Sequence, residues 1–223
     1  MRFFSIAVLG FVTFMLRGEN APAPIVNEDT PIHIPLTMSR LTNYGTYKPT
    51  IIIGIGNLKP LPFGFDTGSS GLRVFADANL EAAGSGVQLT HIPTSVTYGN
   101  PGRITYHGVI AFARLRFGSF STPTLVPIAY LTAAARPKTN PNGKLPDLRD
   151  HAEMGGYGVF GAGLTGRMFA EGHVPNPILT LPGRRGSIYS VRLTPEGGEL
   201  VLGSKELAHA DPVLFKNQDC LNC

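Results

Sequence analysis

Charged residues are scarce in this chain of 223 residues: together they make up 15% of it, against roughly a quarter of an average soluble domain. Stretches with helical periodicity are also scarce. Gly and Pro are plentiful, with 27 and 19 copies, and hydrophobic residues reach 43%, which allows a sizeable core. This combination favours short strands joined by turns and predicts an all-β domain.

Runs of basic residues are missing, although the net charge is +4. The Lys and Arg residues are scattered, and Arg184-Arg185 is the one adjacent pair. No basic run is interleaved with aromatic residues, as nucleic-acid-binding surfaces require. The charge therefore predicts a mildly basic surface and no nucleic-acid partner.

Motifs for metal binding and for a serine nucleophile are missing too. The six histidines are dispersed, and neither His-Glu-x-x-His nor Gly-x-Ser-x-Gly occurs. Gly54-Ile-Gly56 lacks the third glycine that opens a helix in a nucleotide-binding loop. We therefore expect no metal and no other cofactor.

Only two cysteines are present, Cys220 and Cys223, and both lie in the tail formed by residues 216–223. They are too few for a four-thiolate zinc site. Their motif does not follow a strand and begin a helix, as a redox motif does. In an exported protein a local disulfide is the default for such a pair.

The N-terminal residues 1–23 are typical of a secretory signal, because Arg2 precedes an apolar run over residues 3–16. This run is shorter than the roughly 20 residues that a membrane-spanning helix needs. We expect an exported protein, periplasmic or extracellular, and an uncleaved membrane anchor is the alternative. Residues 24–44 predict a polar linker followed by an N-terminal strand.

Alternating and apolar segments predict the strands of the domain. Between two of these segments, Gly99-Asn100-Pro101-Gly102 predicts a hairpin turn. Residues 76–90 predict a short helix with a loop, and residues 132–154 an exposed loop. The predicted strands cover residues 32–36, 50–55, 63–66, 72–75, 94–98, 103–117, 124–131, 159–161, 187–193, 199–203 and 212–215.

One apolar strand, ending at Phe65, runs directly into Asp66-Thr67-Gly68. Taken alone, such a triplet suits a turn in which the carboxylate accepts nearby N–H groups. Three further landmarks follow it in the chain: the hairpin over residues 95–102, the apolar segment 158–161, and the paired strands over 189–203.

These four landmarks, in this order, resemble the N-terminal lobe of pepsin-like aspartic peptidases. The resemblance covers residues 45–205, and it implies an all-β, pepsin-like (acid protease) single lobe with a flap hairpin and short helices. We assign this lobe to residues 45–215. A bacterial family of pepsin-like proteins of uncharacterised function carries a similar Asp-Thr-Gly-Ser-Ser-Gly-Leu-Arg run.

The resemblance makes Asp66 a catalytic residue that shares a water molecule with a second aspartate. Two close carboxylates hold one proton between them, so the pair can serve as general base and general acid in peptide hydrolysis. Thr67 corresponds to the residue that locks the two catalytic loops together. Gly68 admits the backbone close to the carboxylate, and Ser69 corresponds to a hydroxyl that hydrogen-bonds it.

The hairpin implies a substrate-binding flap that carries Tyr98 and Gly99. In the family such a flap closes over an extended peptide, which makes a peptide or protein the expected substrate. Arg73 departs from this pattern, because pepsins usually carry there an aromatic residue that steadies the flap tyrosine. The departure predicts weaker positioning of Tyr98.

A second Asp-Thr-Gly is absent, although a complete centre needs two carboxylates. Our first hypothesis is an aspartic endopeptidase that is active as a homodimer, in which Asp66 meets its own copy across a twofold axis. Segments 31–38 and 212–215 would then be exposed edges that pair across the interface. The alternative is a catalytically incomplete or truncated lobe that acts as a binding module or needs a separate second lobe. A third possibility is a substrate other than a peptide.

Overall fold

A computed structural model describes residues 30–40, 47–98, 104–136, 145–149, 156–163 and 174–204. Within these ranges the chain forms twelve strands and three short helical turns, so the all-β prediction is confirmed. The strands are β1 (Ile32–Arg40), β2 (Tyr47–Ile55), β3 (Leu61–Asp66), β4 (Ser70–Phe75), β5 (Gln88–Tyr98), β6 (Ile104–Ala113), β7 (Leu115–Phe117), β8 (Phe120–Ser121), β9 (Val126–Ala135), β10 (Gly158–Ala162), β11 (Tyr189–Thr194) and β12 (Gly197–Leu202). The helical turns are Ala76–Ala78 and Pro177–Thr180, both of 3-10 type, and the α-helical turn Arg184–Ser187.

Ten of the strands form one continuous path in a large sheet. Their order is β11-β12-β1-β2-β3-β10-β4-β9-β6-β5, and β7 pairs with β2 and β8 beside this path. β10 runs parallel to β3, and β9 runs parallel to β4, whereas the other pairings are antiparallel. β10 thus lies between β3 and β4, two strands that are consecutive in the chain.

β2 contains the apolar run over residues 50–55 that predicted a buried strand, and its side chains alternate in burial. Ile51, Ile53 and Ile55 are fully buried, and Ile52 between them is 44% exposed, as the period of two in a strand requires. β2 and β3 form an antiparallel hairpin, with Ile53 opposite Leu61.

Two hydrophobic clusters lie on the described strands. The larger contains buried aromatic side chains from four strands, among them Phe63, Phe117 and Phe160. The smaller joins β4 and β9 to the hairpin of β5 and β6, and it includes Phe75 and Tyr106. The hairpin is therefore anchored at its base by apolar packing.

The prediction that segment 31–38 forms an exposed edge is wrong. β1 lies inside the sheet, where Ile32 stands opposite Leu202 of β12 and Leu36 stands opposite Ile51 of β2. β12 pairs with residues 32–37 of β1 and β2 pairs with residues 36–40, so β1 is an inner strand of the sheet and not an edge strand. The ends of the described sheet are instead β11 and β5.

Several predicted segments lie outside the described residues, namely the signal or anchor over residues 1–23, segment 212–215, and Cys220 with Cys223. Among the residues that the structure describes, no helix has the length and apolar character needed to cross a membrane.

Candidate active site

The loop that carries the Asp-Thr-Gly triplet closes around one end of β10. Asp66 is the last residue of β3, and Ser70 is the first of β4. Gly161 of β10 stands opposite Asp66 on one side and opposite Gly71 on the other. The loop over residues 66–70 must therefore pass across the end of β10.

Two glycines, one in β10 and one directly after it, allow this close approach. A Cβ atom at Gly161 would lie 2.7 Å from the carbonyl oxygen of Ser69, and one at Gly163 would lie 2.9 Å from the same atom. Contacts this short between a Cβ and a backbone oxygen do not occur without a shift of the backbone. The N–H of Gly163 donates to the Ser69 carbonyl at 2.7 Å, which fixes the loop to the strand.

Both carboxylate oxygens of Asp66 are held by the loop itself. The N–H of Gly68 donates to Oδ1 at 2.8 Å, and Oγ of Ser69 donates to Oδ2 at 2.6 Å. Asp66 is partly exposed, and each carboxylate oxygen has a second acceptor site. The arrangement leaves room for a water molecule or a second acidic group at the carboxylate.

Thr67 and Gly68 are exposed at the tip of the loop. A Cβ at Gly68 would lie 3.3 Å from Oδ1 of Asp66, which is tighter than ordinary van der Waals contact. This agrees with the prediction that the position needs a residue without a side chain. The Thr67 side chain faces away from the core, where a second lobe or a second copy could reach it.

Tyr98 ends β5 and lies over the same loop. β5 and β6 pair from the base of the hairpin up to Tyr98, which stands opposite Ile104, so the predicted hairpin is present. The Tyr98 ring makes an edge contact with Tyr106, with 6.0 Å between the ring centroids. Gly99, the second predicted flap residue, lies outside the described residues.

The Tyr98 hydroxyl is buried and makes no hydrogen bond of full geometry. Burial raises the pKa of Tyr98, and the charge of Asp66 raises it further, whereas the charge of Arg73 and the nearby Ser69 hydroxyl lower it. Ser69 and Arg73 are thus close enough to act on the phenol without being well-aligned partners. The structure therefore brings Tyr98 into the electrostatic neighbourhood of Asp66.

Arg73 lies next to Tyr98. Its presence in place of an aromatic residue had predicted weaker positioning of the Tyr98 side chain. Cζ of Arg73 lies 5.3 Å from the centre of the Tyr98 ring, within the distance of a cation–π contact. Its Nη1 donates to Oγ of Ser69 at 3.0 Å. The arginine thus supplies a contact for the flap tyrosine and also reaches the hydroxyl on the Asp66 carboxylate.

Asn176, which the sequence did not indicate as a site residue, is a buried polar residue next to the Asp66 loop. Its Nδ2 donates to the carbonyls of Ala162 at 2.9 Å and Gly163 at 3.3 Å, and its Oδ1 accepts from the N–H of Ile178 at 2.9 Å. The hydroxyl of Tyr189 also donates to the Ala162 carbonyl. These bonds fix the end of β10, on which the Asp66 loop rests.

Groups of three or more His, Cys, Asp or Glu side chains that could hold a metal ion do not occur in the part of the chain that the structure describes. The hydrolytic chemistry expected for paired carboxylates needs no metal ion.

No protein-family model matches this chain, and no curated protein matches it in sequence. Solved structures do match, among them the crystal structure of the aspartic proteinase from Irpex lacteus, with a TM-score of 0.51 and 20% sequence identity. The alignment covers 78% of this chain and 48% of that one, so this chain spans about half the length of that protein. The likeness establishes the fold, and the predicted all-β, pepsin-like fold class is confirmed.

Proposed function

We propose that the chain is an aspartic-type endopeptidase lobe, which hydrolyses peptide bonds with a water molecule activated by paired aspartates. The observation that carries this proposal is the state of Asp66. Its carboxylate is hydrogen-bonded on both oxygens by its own loop and stays partly exposed beneath a hairpin that bears Tyr98. A turn aspartate that served only the fold would not need this overlying hairpin.

The chemistry follows from the pairing of two carboxylates. Close carboxylates share one proton, because both cannot easily be ionised at once. The ionised member takes a proton from water, and the protonated member donates a hydrogen bond to the carbonyl of the scissile peptide bond. The water oxygen then attacks the carbonyl carbon, and a proton passes to the leaving amine.

The proposed substrate is an extended peptide or protein segment bound under the flap. A strand-like peptide can hydrogen-bond to the backbone of a hairpin, and closure of the hairpin excludes bulk water. Tyr98 and Gly99 are the proposed flap residues, and Thr67, Gly68 and Ser69 support Asp66. Such a substrate fits export to the periplasm or the extracellular space, which we propose from the apolar run in residues 1–23.

The second carboxylate is proposed to be Asp66 of a second copy. The sequence holds one Asp-Thr-Gly triplet, and a twofold axis beside the exposed loop would bring two copies of it together. The exposure of Thr67 at the tip of the loop supports this arrangement, in which its side chain would contact the opposite loop. We assign β1 no part in this contact, because it lies between β12 and β2 in the sheet.

The alternative is a lobe that lacks catalysis by itself and acts as a binding module or needs a separate second lobe. The alignment covers 48% of the solved proteinase, a coverage that is the same for this alternative and for a homodimer. Under this alternative, the face that carries Asp66 and Tyr98 would bind a peptide without cleaving it.

A dilution experiment separates these two functions. Cleavage of a denatured protein would be measured from pH 3 to pH 7 over a wide range of chain concentrations, with sedimentation velocity on the same samples. We expect the rate per chain to rise with concentration in parallel with the dimer fraction. A constant rate per chain in samples that sediment as monomers would exclude a shared site. Dimers that cleave nothing would support the binding module.

A further inference from the structure

The side chain of Arg73 is buried in the sheet, where a charge needs compensation. Only 9% of the residue is exposed, and burying a guanidinium is costly unless its donors find partners. Its neighbours Leu72 and Val74 are fully buried on the opposite face of β4. The alternation of the strand therefore directs Arg73 towards the face that carries the flap.

The residues that flank Arg73 in the sheet are small and apolar. Across the sheet it stands opposite Val159 of β10 and Ala129 of β9. The guanidinium extends past them towards the Asp66 loop and the end of β5, where it meets Ser69 and the Tyr98 ring.

The contact between Arg73 and Ser69 determines which acceptor the hydroxyl proton of Ser69 points to. A guanidinium can only donate hydrogen bonds, so Oγ of Ser69 must act as the acceptor in its bond with Arg73. The one hydroxyl proton of Ser69 is then left for Oδ2 of Asp66, 2.6 Å away. Without Arg73, the Ser69 hydroxyl could rotate to other acceptors.

We propose that Arg73 is a positioning residue that links the flap to the carboxylate: it orients the Ser69 hydroxyl towards Asp66 and holds the Tyr98 ring over the same loop. Movement of the flap then alters the environment of the guanidinium, and through Ser69 it alters the carboxylate. The catalytic half of this inference rests on the proposed function, whereas the link between Arg73 and Tyr98 does not.

The link can be measured without any cleavage. The chain has 7 tyrosines, so protein labelled with 3-fluorotyrosine gives a simple fluorine NMR spectrum, in which the Tyr98→Phe variant assigns the Tyr98 signal. In Arg73→Met we expect this signal to shift and the pKa of Tyr98 to rise further, because Arg73 lowers it in the native protein. In Arg73→Lys, which keeps a cation, the Tyr98 signal and the pKa of Tyr98 should lie between those of the wild type and Arg73→Met. An unchanged Tyr98 signal in Arg73→Met would overturn the link.

Arg114→Met is the matched control. Arg114 is exposed and donates to the carbonyls of Thr122 and Pro123, away from the loop. Its loss should leave the Tyr98 signal where it is. If Arg114→Met moved the signal as much as Arg73→Met, the effect would be a general loosening of the fold and the proposal would be wrong.

The second test measures KM and kcat for peptide cleavage by the wild type and the Arg73 variants. Because Arg73 acts on both the flap and the carboxylate, Arg73→Met should raise KM and lower kcat by about 10-fold or more each, and Arg73→Lys should restore part of both. A rise in KM alone would overturn the orientation of Ser69, and a fall in kcat alone would overturn the flap contact. If Arg73→Met does not fold, the proposal is tested with Arg73→Lys. The proposal would be overturned if this variant had the KM, the kcat and the Tyr98 signal of the wild type.

Discussion

The Asp66→Asn variant is expected to lose peptide cleavage by about 10³-fold or more, which is the usual scale for removal of a general acid–base group. Asparagine has nearly the shape of aspartate, and its Oδ1 can still accept the N–H of Gly68. Its amide cannot take a proton from water, however, and cannot share one with a second carboxylate. Cleavage should therefore vanish while thermal unfolding and the dimer fraction stay near those of the wild type.

Asp147→Asn is the control for this prediction. Asp147 is exposed and accepts the N–H of Arg149 at 2.9 Å, a local turn contact of the kind that Asp66 would make if it served only the fold. The control should cleave at the wild-type rate. Equal activity in Asp66→Asn and Asp147→Asn would show that Asp66 takes no part in catalysis.

The second large effect is expected on stability, in the variant Gly71→Ala. Gly71 has a φ of +92°, a conformation that costs an L-residue about 1 kcal/mol or more. A Cβ there would also lie 2.4 Å from Cγ2 of Val174 and 2.5 Å from its carbonyl oxygen. The backbone contact cannot be relieved by a rotamer change, so we expect a loss of about 3 kcal/mol or more in the free energy of unfolding.

The variant Gly84→Ala measures the cost of backbone strain without the steric clash. Gly84 has a φ of +77°, and a Cβ there would meet nothing within 4 Å. Urea unfolding should show a loss of about 1 kcal/mol for this variant, well below that of Gly71→Ala. Equal losses in the two variants would mean that Val174 does not pack against β4 as described.

The strands with a clear period of two were predictable from the sequence, because burial on one face selects apolar residues at alternate positions. β1 shows this, because Ile34 and Leu36 are buried while the residues between and beside them, at positions 33, 35 and 37, are exposed. The Asp66 loop was predictable too. A strand that ends in Asp-Thr-Gly supplies the carboxylate, and it also supplies a glycine whose backbone can lie against that carboxylate. In these segments local sequence and tertiary contacts favour the same conformation.

The position of β1 was not predictable in the same way. Its alternating residues indicate a strand, but they do not say how many of its edges are paired. The pairing with β12 joins residues more than 160 positions apart, as in Ile32 opposite Leu202. Such long-range pairing leaves no local signal, which is why an exposed edge was expected instead.

Asn176 and Arg73 show the same limit at the candidate site. Asn176 precedes Pro177, a dipeptide that only indicates a turn, and its bonds to β10 depend on how that turn packs. For Arg73, the sequence pattern indicated a missing aromatic residue and a poorly supported flap. A guanidinium can replace an aromatic ring as a ring contact and can add hydrogen bonds, but only the structure shows that Tyr98 and Ser69 both lie within its reach.

Mixing wild-type chain with Asp66→Asn tests most directly the claim that one active site uses two copies of Asp66. At fixed total concentration and after subunit exchange, equal parts of the two chains form wild-type dimers in about one case in four. We predict that cleavage falls to about a quarter of the wild-type rate, because the mixed dimer holds one carboxylate. A fall to about one half would contradict the account, since each chain would then work with a carboxylate that does not come from its partner.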